Sequence, residues 1–287
     1  MSHRSHKRSK KSRFKSLVYI FLSFVLSFVL FLLSVCLVLR LTVFSGDFMK
    51  SAMSGTGYYE FVSEEFSDGM KNLGHASGLS DEFVDDFVKK LDFIEIEGEY
   101  IDAFYTGEST LVNTTHFKQT MLGALNDYIE ENNIDREKAS EANLSYLVDK
   151  VAELYVAHVS IPFFSVLGNY ISKLDTPLRV TEIVLAILAL GIAAILYFTN
   201  EYKHRRYRYL CYGLIGATLT TAVIPAVVGI MGFVSKANIS SRSLYNLFVS
   251  YFNSFFNYFW IFAGIWALLS VLSFVMFYTR FKKAVNN

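Results

Sequence analysis

Residues 17–39 read LVYIFLSFVLSFVLFLLSVCLVL, 23 residues without a charge, and Arg40 closes the run. A helix that crosses the ~30 Å hydrocarbon core of a bilayer needs about 20 apolar residues. The run is longer than the apolar core of a cleaved signal, about 7–15 residues, and no small-residue cleavage site follows it. Leu33-Ser34-Val35-Cys36 is a poor lipoprotein box, because Val35 is too large for the position before the cysteine. The stretch reads as a retained first span, and the rest of the chain repeats its pattern. Further spans are predicted from near Val180 to Thr199, from Tyr209 to Ser235, and from about Phe255 to Thr279, where Arg280 ends the run.

The basic residues set an orientation. Residues 1–16 carry Arg4, Lys7, Arg8, Lys10, Lys11, Arg13 and Lys15 and no acid. The loop between spans two and three carries Lys203, Arg205, Arg206 and Arg208 against Glu201, and the tail carries Arg280, Lys282 and Lys283. With four spans, all fourteen basic residues and the one acid fall on a single side, which is then cytoplasmic. Residues 44–179 hold 24 acids and 10 basic residues and fall outside. The expected layout is a basic tail (1–16), a first span (17–43), an extracytoplasmic domain (44–176) and a second span (177–200). A basic loop (201–208), a third span (209–235), an outer loop with a helix extension (236–254), a fourth span (255–279) and a tail (280–287) complete it. Both termini are expected inside a cell membrane, with residues 45–176 outside.

The composition agrees. Of 287 residues, 53% are hydrophobic and 16% aromatic, yet the net charge is only +1, because the charges are gathered between the apolar runs. That excludes a simple soluble globule and a disordered chain. The two cysteines, Cys36 and Cys211, lie inside apolar runs, so neither a disulfide framework nor a cysteine-based zinc site is available to the long polar segment. The basic N-terminus reads as topogenic charge with attraction to anionic lipid, and no nucleic-acid partner is expected.

The polar segment has helical periodicity. Ser80 before Asp81 and Glu82 marks a helix start carrying Phe83, Val84, Phe87, Val88 and Leu91. Thr114 or Thr115 opens a helix with Phe117, Met121, Leu125 and Ile129. A third begins near Asp135 and runs through Leu147, Val151 and Tyr155 towards Pro162, which should break it. A short helix through Phe163, Phe164 and Leu167 follows, and Thr176-Pro177 is expected to cap the second span. The alternation Phe93-Ile94-Glu95-Ile96-Glu97 is too short for a sheet. The fold class expected is therefore all-α: a polytopic membrane protein with four transmembrane helices plus an extracytoplasmic helical domain.

Chemical motifs are scarce. His75, His116 and His158 are too scattered for a local metal motif, and no zincin, nucleophile-elbow, P-loop or dinucleotide pattern is present. Glu95, Glu97 and Glu99 read as a solvated acidic face. The span interiors lack ionisable residues, which argues against an ion-coupled transporter. Gly213, Ala217 and Thr221, four apart, predict close helix packing, as do Ala189 and Ala193. Neither catalytic residues, nor a cofactor, nor a metal are expected.

Two constellations stand out. Glu182 falls at the outer boundary of the second span, where it is expected to pair with Arg40 or Arg179. From Leu244 to Phe259 an aromatic-rich stretch keeps Asn246, Ser250, Asn253 and Asn257 on one helix face. It predicts one continuous helix from about Ser241 into the fourth span. Phe248, Tyr251 and Phe252 are expected to form a docking surface with Phe163, Phe164 and Leu167.

The layout, with Phe44, Phe48, Tyr58 and Tyr59 after the first span, resembles a family of four-span membrane proteins of Gram-positive bacteria with an extracytoplasmic helical insertion. The claudin layout is similar in topology, but the tryptophan and paired cysteines of its first loop are missing here. Neither resemblance implies an activity. The function expected is a membrane protein whose outer domain binds a partner protein, peptide or envelope component, with membrane lipid and a protein partner or second copy as its contacts. The rivals are an enzyme or lipid-handling protein with a site at the junction of outer domain and membrane, and a channel-like oligomer.

Overall fold

The computed structural model describes residues 2–108, 111–134, 141–161, 164–200 and 202–285. Their regular structure is helical: α1 (Ser2–Leu41), α2 (Gly46–Ser54), α3 (Tyr58–Ser77), α4 (Asp81–Lys89), α5 (Phe93–Thr106), α6 (Thr115–Glu131), α7 (Glu141–Val159), α8 (Phe164–Phe198), α9 (Lys203–Met231) and α10 (Arg242–Val285), with a 3-10 turn at Val234–Lys236. The chain forms two compact units. One is an apolar unit of residues 1–43, 175–237 and 251–287; the other is an inserted unit of residues 44–174 and 238–250.

Four helices are long and apolar enough to cross a bilayer, Phe14–Leu41, Lys173–Phe198, His204–Met231 and Arg242–Val285; apart from residues 173–174 and 242–250 they belong to the apolar unit. Side-chain pairs fix their directions. Arg40 Nη1 lies 2.7 Å from Glu182 Oε2, and the Tyr19 hydroxyl donates to the Thr199 carbonyl at 3.0 Å, so α1 and α8 are antiparallel. The Ser23 hydroxyl donates to the Tyr209 carbonyl at 2.8 Å, and Leu26 faces Gly213, so α9 runs parallel to α1. Trp266 Nε1 donates to Ser34 Oγ at 2.7 Å and Cys211 Sγ donates to the Ser270 carbonyl at 3.6 Å, so α10 runs back. The starts of α1 and α9 and the ends of α8 and α10 therefore share one end of the unit. The core between them is Leu26, Val29, Leu30, Ala189, Ile192, Leu196, Tyr209 and Ala217.

Gly213 of the expected small-residue stripe packs closely against α1. A Cβ added at Gly213 would lie 2.9 Å from Leu26 Cδ2 and 3.1 Å from the Ser23 carbonyl oxygen, while Ala217 and Thr221 are fully buried. Gly213→Val should therefore lose roughly 1–3 kcal/mol of stability by overpacking. Gly229→Val is the control, because nothing lies within 4 Å of a Cβ built there. Thermal unfolding in detergent checks the pair: a lower midpoint for Gly213→Val alone is expected.

Some boundaries differ from the sequence reading: the stretch expected as a basic loop, 201–208, is helical from Lys203 onward, where α9 starts. Pro177 does not start a helix; it sits inside α8, which runs unbroken from Phe164 to Phe198. A proline removes one backbone hydrogen bond, whereas a break would leave up to four unsatisfied groups at each new end. The third long helix stops at Met231 rather than Ser235, because Gly232 takes the left-handed conformation (φ 61°) that ends it. The stretches at 135–140 and 162–163, on which the start of the third insertion helix and its Pro162 break were placed, lie outside the described residues.

The inserted unit is built around α3, whose Tyr58, Val62, Phe66 and Met70 recur every four residues and are fully buried. The Ser80 hydroxyl caps α4 by accepting from Phe83 N–H, and Asp92 caps α5 by accepting from Ile94 and Glu95 N–H. The Phe93–Glu97 alternation is thus the first turn of a helix. Phe66 meets Phe93, Phe117 and Tyr155 edge-on, and Phe117 stacks on Tyr155 with ring centroids 4.1 Å apart.

α10 is one helix from Arg242, as its polar register predicts. Ser241 Oγ accepts from Leu244 N–H, and Glu65 of α3 accepts from the Arg242 N–H at 3.0 Å, the Ser243 N–H at 3.3 Å and both serine hydroxyls. A carboxylate on a helix N-terminus opposes the positive end of the helix dipole. Burial pushes the Glu65 carboxyl up, but the Ser243, Ser241 and Arg242 donors outweigh it and hold the group below its ordinary range.

Candidate functional site: an acidic, aromatic-floored cleft

Residues 90–92 between α4 and α5, the outer face of α5, residues 111–113 and the start of α6 surround a cleft of about 870 Å³ in the inserted unit, with Tyr155 of α7 behind it. Its size lies within the range of small-molecule sites, ~300–1,000 Å³. The floor is Tyr100, Phe117 and Tyr155, each buried, and Leu91, Ile96, Leu111 and Val112 add apolar wall. The rim on the α5 side carries Asp92, Glu95, Glu99 and Glu108; Lys90 is the one lysine or arginine on the described lining. The opposite wall is neutral polar, with Asn113 and Thr120, beside His116. Helical spacing puts Glu95 and Glu99 on one face, the face that Asp92 starts as the cap. Asn113 accepts from Thr115 N–H at 2.9 Å, which fixes the turn into α6.

Behind the tyrosine floor lies Glu97, fully buried on the inner face of α5. The sequence reading placed Glu95, Glu97 and Glu99 together on a solvated face. The first and last are exposed, but Glu97 follows the apolar register of Phe93, Tyr100, Ile101 and Phe104. Burial pushes its carboxyl up to about 9, and interaction with the Tyr58 hydroxyl offsets only part of this. That interaction falls short of hydrogen-bond geometry, and both carboxyl oxygens lack a hydrogen-bond partner. Glu97 is thus a neutral acid at pH 7, available as a proton donor but sealed from solvent. The Tyr155 phenol is pushed up to about 12, first by burial and then by the Glu97 and Glu99 carboxyls. Tyr100 is raised too, mainly by burial. The floor of the cleft is therefore uncharged at physiological pH.

The other sequence-predicted residues are placed as follows. Arg40 is the partner of Glu182, whose side chain is only 6% exposed; Arg179 instead pairs with Asp175 one turn before it, at 2.9 Å. Phe164 is buried and stacks on Phe104 with ring centroids 3.8 Å apart. Phe163 and the side chain of Leu167 lie outside the described residues. Phe248 is half-buried in the inserted unit; Tyr251 and Phe252 are half-buried in the apolar unit, where the Phe252 ring meets Tyr251, Phe255 and Phe256 of its own helix. His158 is half-buried, with Nδ1 2.9 Å from the Leu154 carbonyl and its ring against Phe66. Among the described residues no group of three or more histidine, cysteine or acidic side chains is arranged to hold a metal ion.

The cleft was missed by sequence reasoning because its floor comes from three helices and no local spacing unites them. Glu97 was missed although a signal existed, its position four residues after Phe93 and four before Ile101. No protein-family model matches the chain, no curated protein matches it, and no solved structure matches it. The chemistry of the cleft carries the functional reading alone.

Proposed function

We propose that this is a multi-pass membrane protein whose inserted unit lies on the extracytoplasmic side and binds a ligand in the α5–α6–α7 cleft, with the four apolar helices as its anchor. The observation that carries this reading is the cleft itself: a concave site with an aromatic floor and a charged rim. Membership of the membrane is supported by the four long apolar helices. The orientation is supported by the gathering of fourteen basic residues onto the segments that begin α1 and α9 and end α10, because positively charged segments stay cytoplasmic. Binding rather than catalysis is favoured because the only strongly perturbed acid in the inserted unit, among the described residues, is sealed behind Tyr100 and Tyr155.

The test is cleft-dependent retention. Full-length protein is purified from native membrane in parallel with Thr120→Trp, which fills the cleft from an exposed position on α6. Small molecules and peptides bound to each are identified by mass spectrometry. A compound retained by the natural protein and lost from Thr120→Trp supports the reading. Identical bound sets in the two preparations contradict it.

A further inference from the structure

The reading of the cleft as a ligand site is the premise for a sharper one: we infer that its ligand is a small amphiphilic organic cation, an ammonium or guanidinium on an apolar body. The charge on the lining is one-sided. Glu95, Glu99 and Glu108 stand exposed on the rim, and Lys90 is the one lysine or arginine facing them on the described lining. Asp92 adds to the same wall, although Oδ1 of its carboxylate already accepts from two backbone N–H groups. Carboxylates that line a low-dielectric concavity focus their field into it and raise the local concentration of cations.

Beneath them the floor offers what a bare metal ion would not use. Tyr100, Phe117 and Tyr155 line it with aromatic side chains, largely buried and partly stacked on one another and on Phe164, and the phenols of the two tyrosines stay neutral for the reasons given above. Aromatic faces attract organic cations, and the attraction grows as the cation is desolvated. An anion would meet four carboxylates at the rim against one lysine. A neutral apolar molecule would gain the floor and leave the carboxylates unused. A free divalent ion would find the rim but no convergent set of oxygens, since the described residues hold no metal-ligating group. The volume, about 870 Å³, takes a drug-sized molecule rather than a folded partner.

The acids sit on one helix face, so their contribution is separable from that of the floor. The test uses three probes with one apolar body and different head groups: 4-phenylbutylamine, 4-phenylbutanol and 4-phenylbutyrate. Each is titrated calorimetrically into the full chain in nanodiscs of net-neutral, zwitterionic phosphatidylcholine, with empty nanodiscs subtracted. The amine is expected to bind about tenfold or more tightly than the alcohol, and the carboxylate most weakly. Glu95→Gln with Glu99→Gln should weaken amine binding about tenfold, the scale of two screened ion pairs, and leave the alcohol unchanged. Both substitutions are at exposed positions, and unchanged alcohol binding shows that the floor is intact.

Three results overturn the inference. Equal affinity for all three head groups removes the cation preference while leaving the cleft as a ligand site. An amine preference that survives the double substitution places the cation elsewhere. No binding of any probe removes the small amphiphilic cation as ligand, and the Thr120→Trp comparison then decides independently whether the cleft binds anything.

Discussion

Arg40→Leu is expected to destabilise the four-helix apolar unit by about 2–4 kcal/mol, more than any other single change to a charged residue in that unit. Glu182 is almost fully buried, one of its oxygens already lacks a partner, and Arg40 at 2.7 Å satisfies the other. Removing the guanidinium leaves a carboxylate in apolar surroundings with nothing to offset its desolvation. The figure is set below the full value for a wholly buried pair, because the Arg40 side chain is 45% exposed and solvent shares its charge. The pair also sets register: it ties the last turn of α1 to α8 at one end, as Tyr19 ties α1 to Thr199 at the other. Unfolding in mixed detergent measures the loss. Adding Glu182→Gln to Arg40→Leu should recover most of it, since the orphaned charge is then gone. A double variant as unstable as Arg40→Leu alone would show that the arginine acts through packing rather than through the pair.

The second large effect depends on pH. Glu97 has a folded-state pKa of about 9, raised from 4.5 chiefly by burial. A raised carboxyl holds its proton in the folded state while the unfolded chain gives it up. Its contribution to stability is therefore fully present below pH ~4.5 and is lost progressively as pH rises to about 9. Glu97→Gln keeps the shape and removes the titration. The variant should be no more stable than the natural protein at pH 4.5. It should become more stable as pH rises, by roughly 2–4 kcal/mol at pH 8. Calorimetric Tm values of the inserted unit across that range check the slope. A difference between variant and natural protein that does not change with pH would mean that the carboxyl is solvated or paired, against the buried geometry.

These two acids also show what could be read from the sequence. Glu182 was legible because the span it borders is otherwise free of charge, so a lone carboxylate there had to find a cation. The candidates were the nearest arginines, Arg40 and Arg179. Glu97 was obscured by its neighbours: Glu95, Glu97 and Glu99 alternate with apolar residues, and the alternation hid the four-residue step that places Glu97 among Phe93, Ile101 and Phe104. Capping chemistry was legible at Ser80, where the hydroxyl and the acids of the first turn agree. It misled at Thr176-Pro177, because a proline that ends a helix in water is tolerated where breaking the helix would expose more backbone than the proline does. The helices of the insertion were legible from their period, but which faces meet was not. The cleft needs the α5 rim and the α6–α7 stack of Phe117 on Tyr155 in one place, and that juxtaposition belongs to tertiary packing.

The acidic cleft is proposed to open on the extracytoplasmic side of a membrane, and accessibility in intact cells tests that placement. Cys36 and Cys211 are replaced by alanine, and single cysteines are placed at Glu95 on the cleft rim and at Arg205 in the basic first turn of α9, both exposed positions. A membrane-impermeant maleimide is applied before and after permeabilisation. The Glu95→Cys protein is expected to be labelled in intact cells, and the Arg205→Cys protein only after permeabilisation. Labelling of Arg205→Cys in intact cells, or protection of Glu95→Cys until permeabilisation, would contradict it.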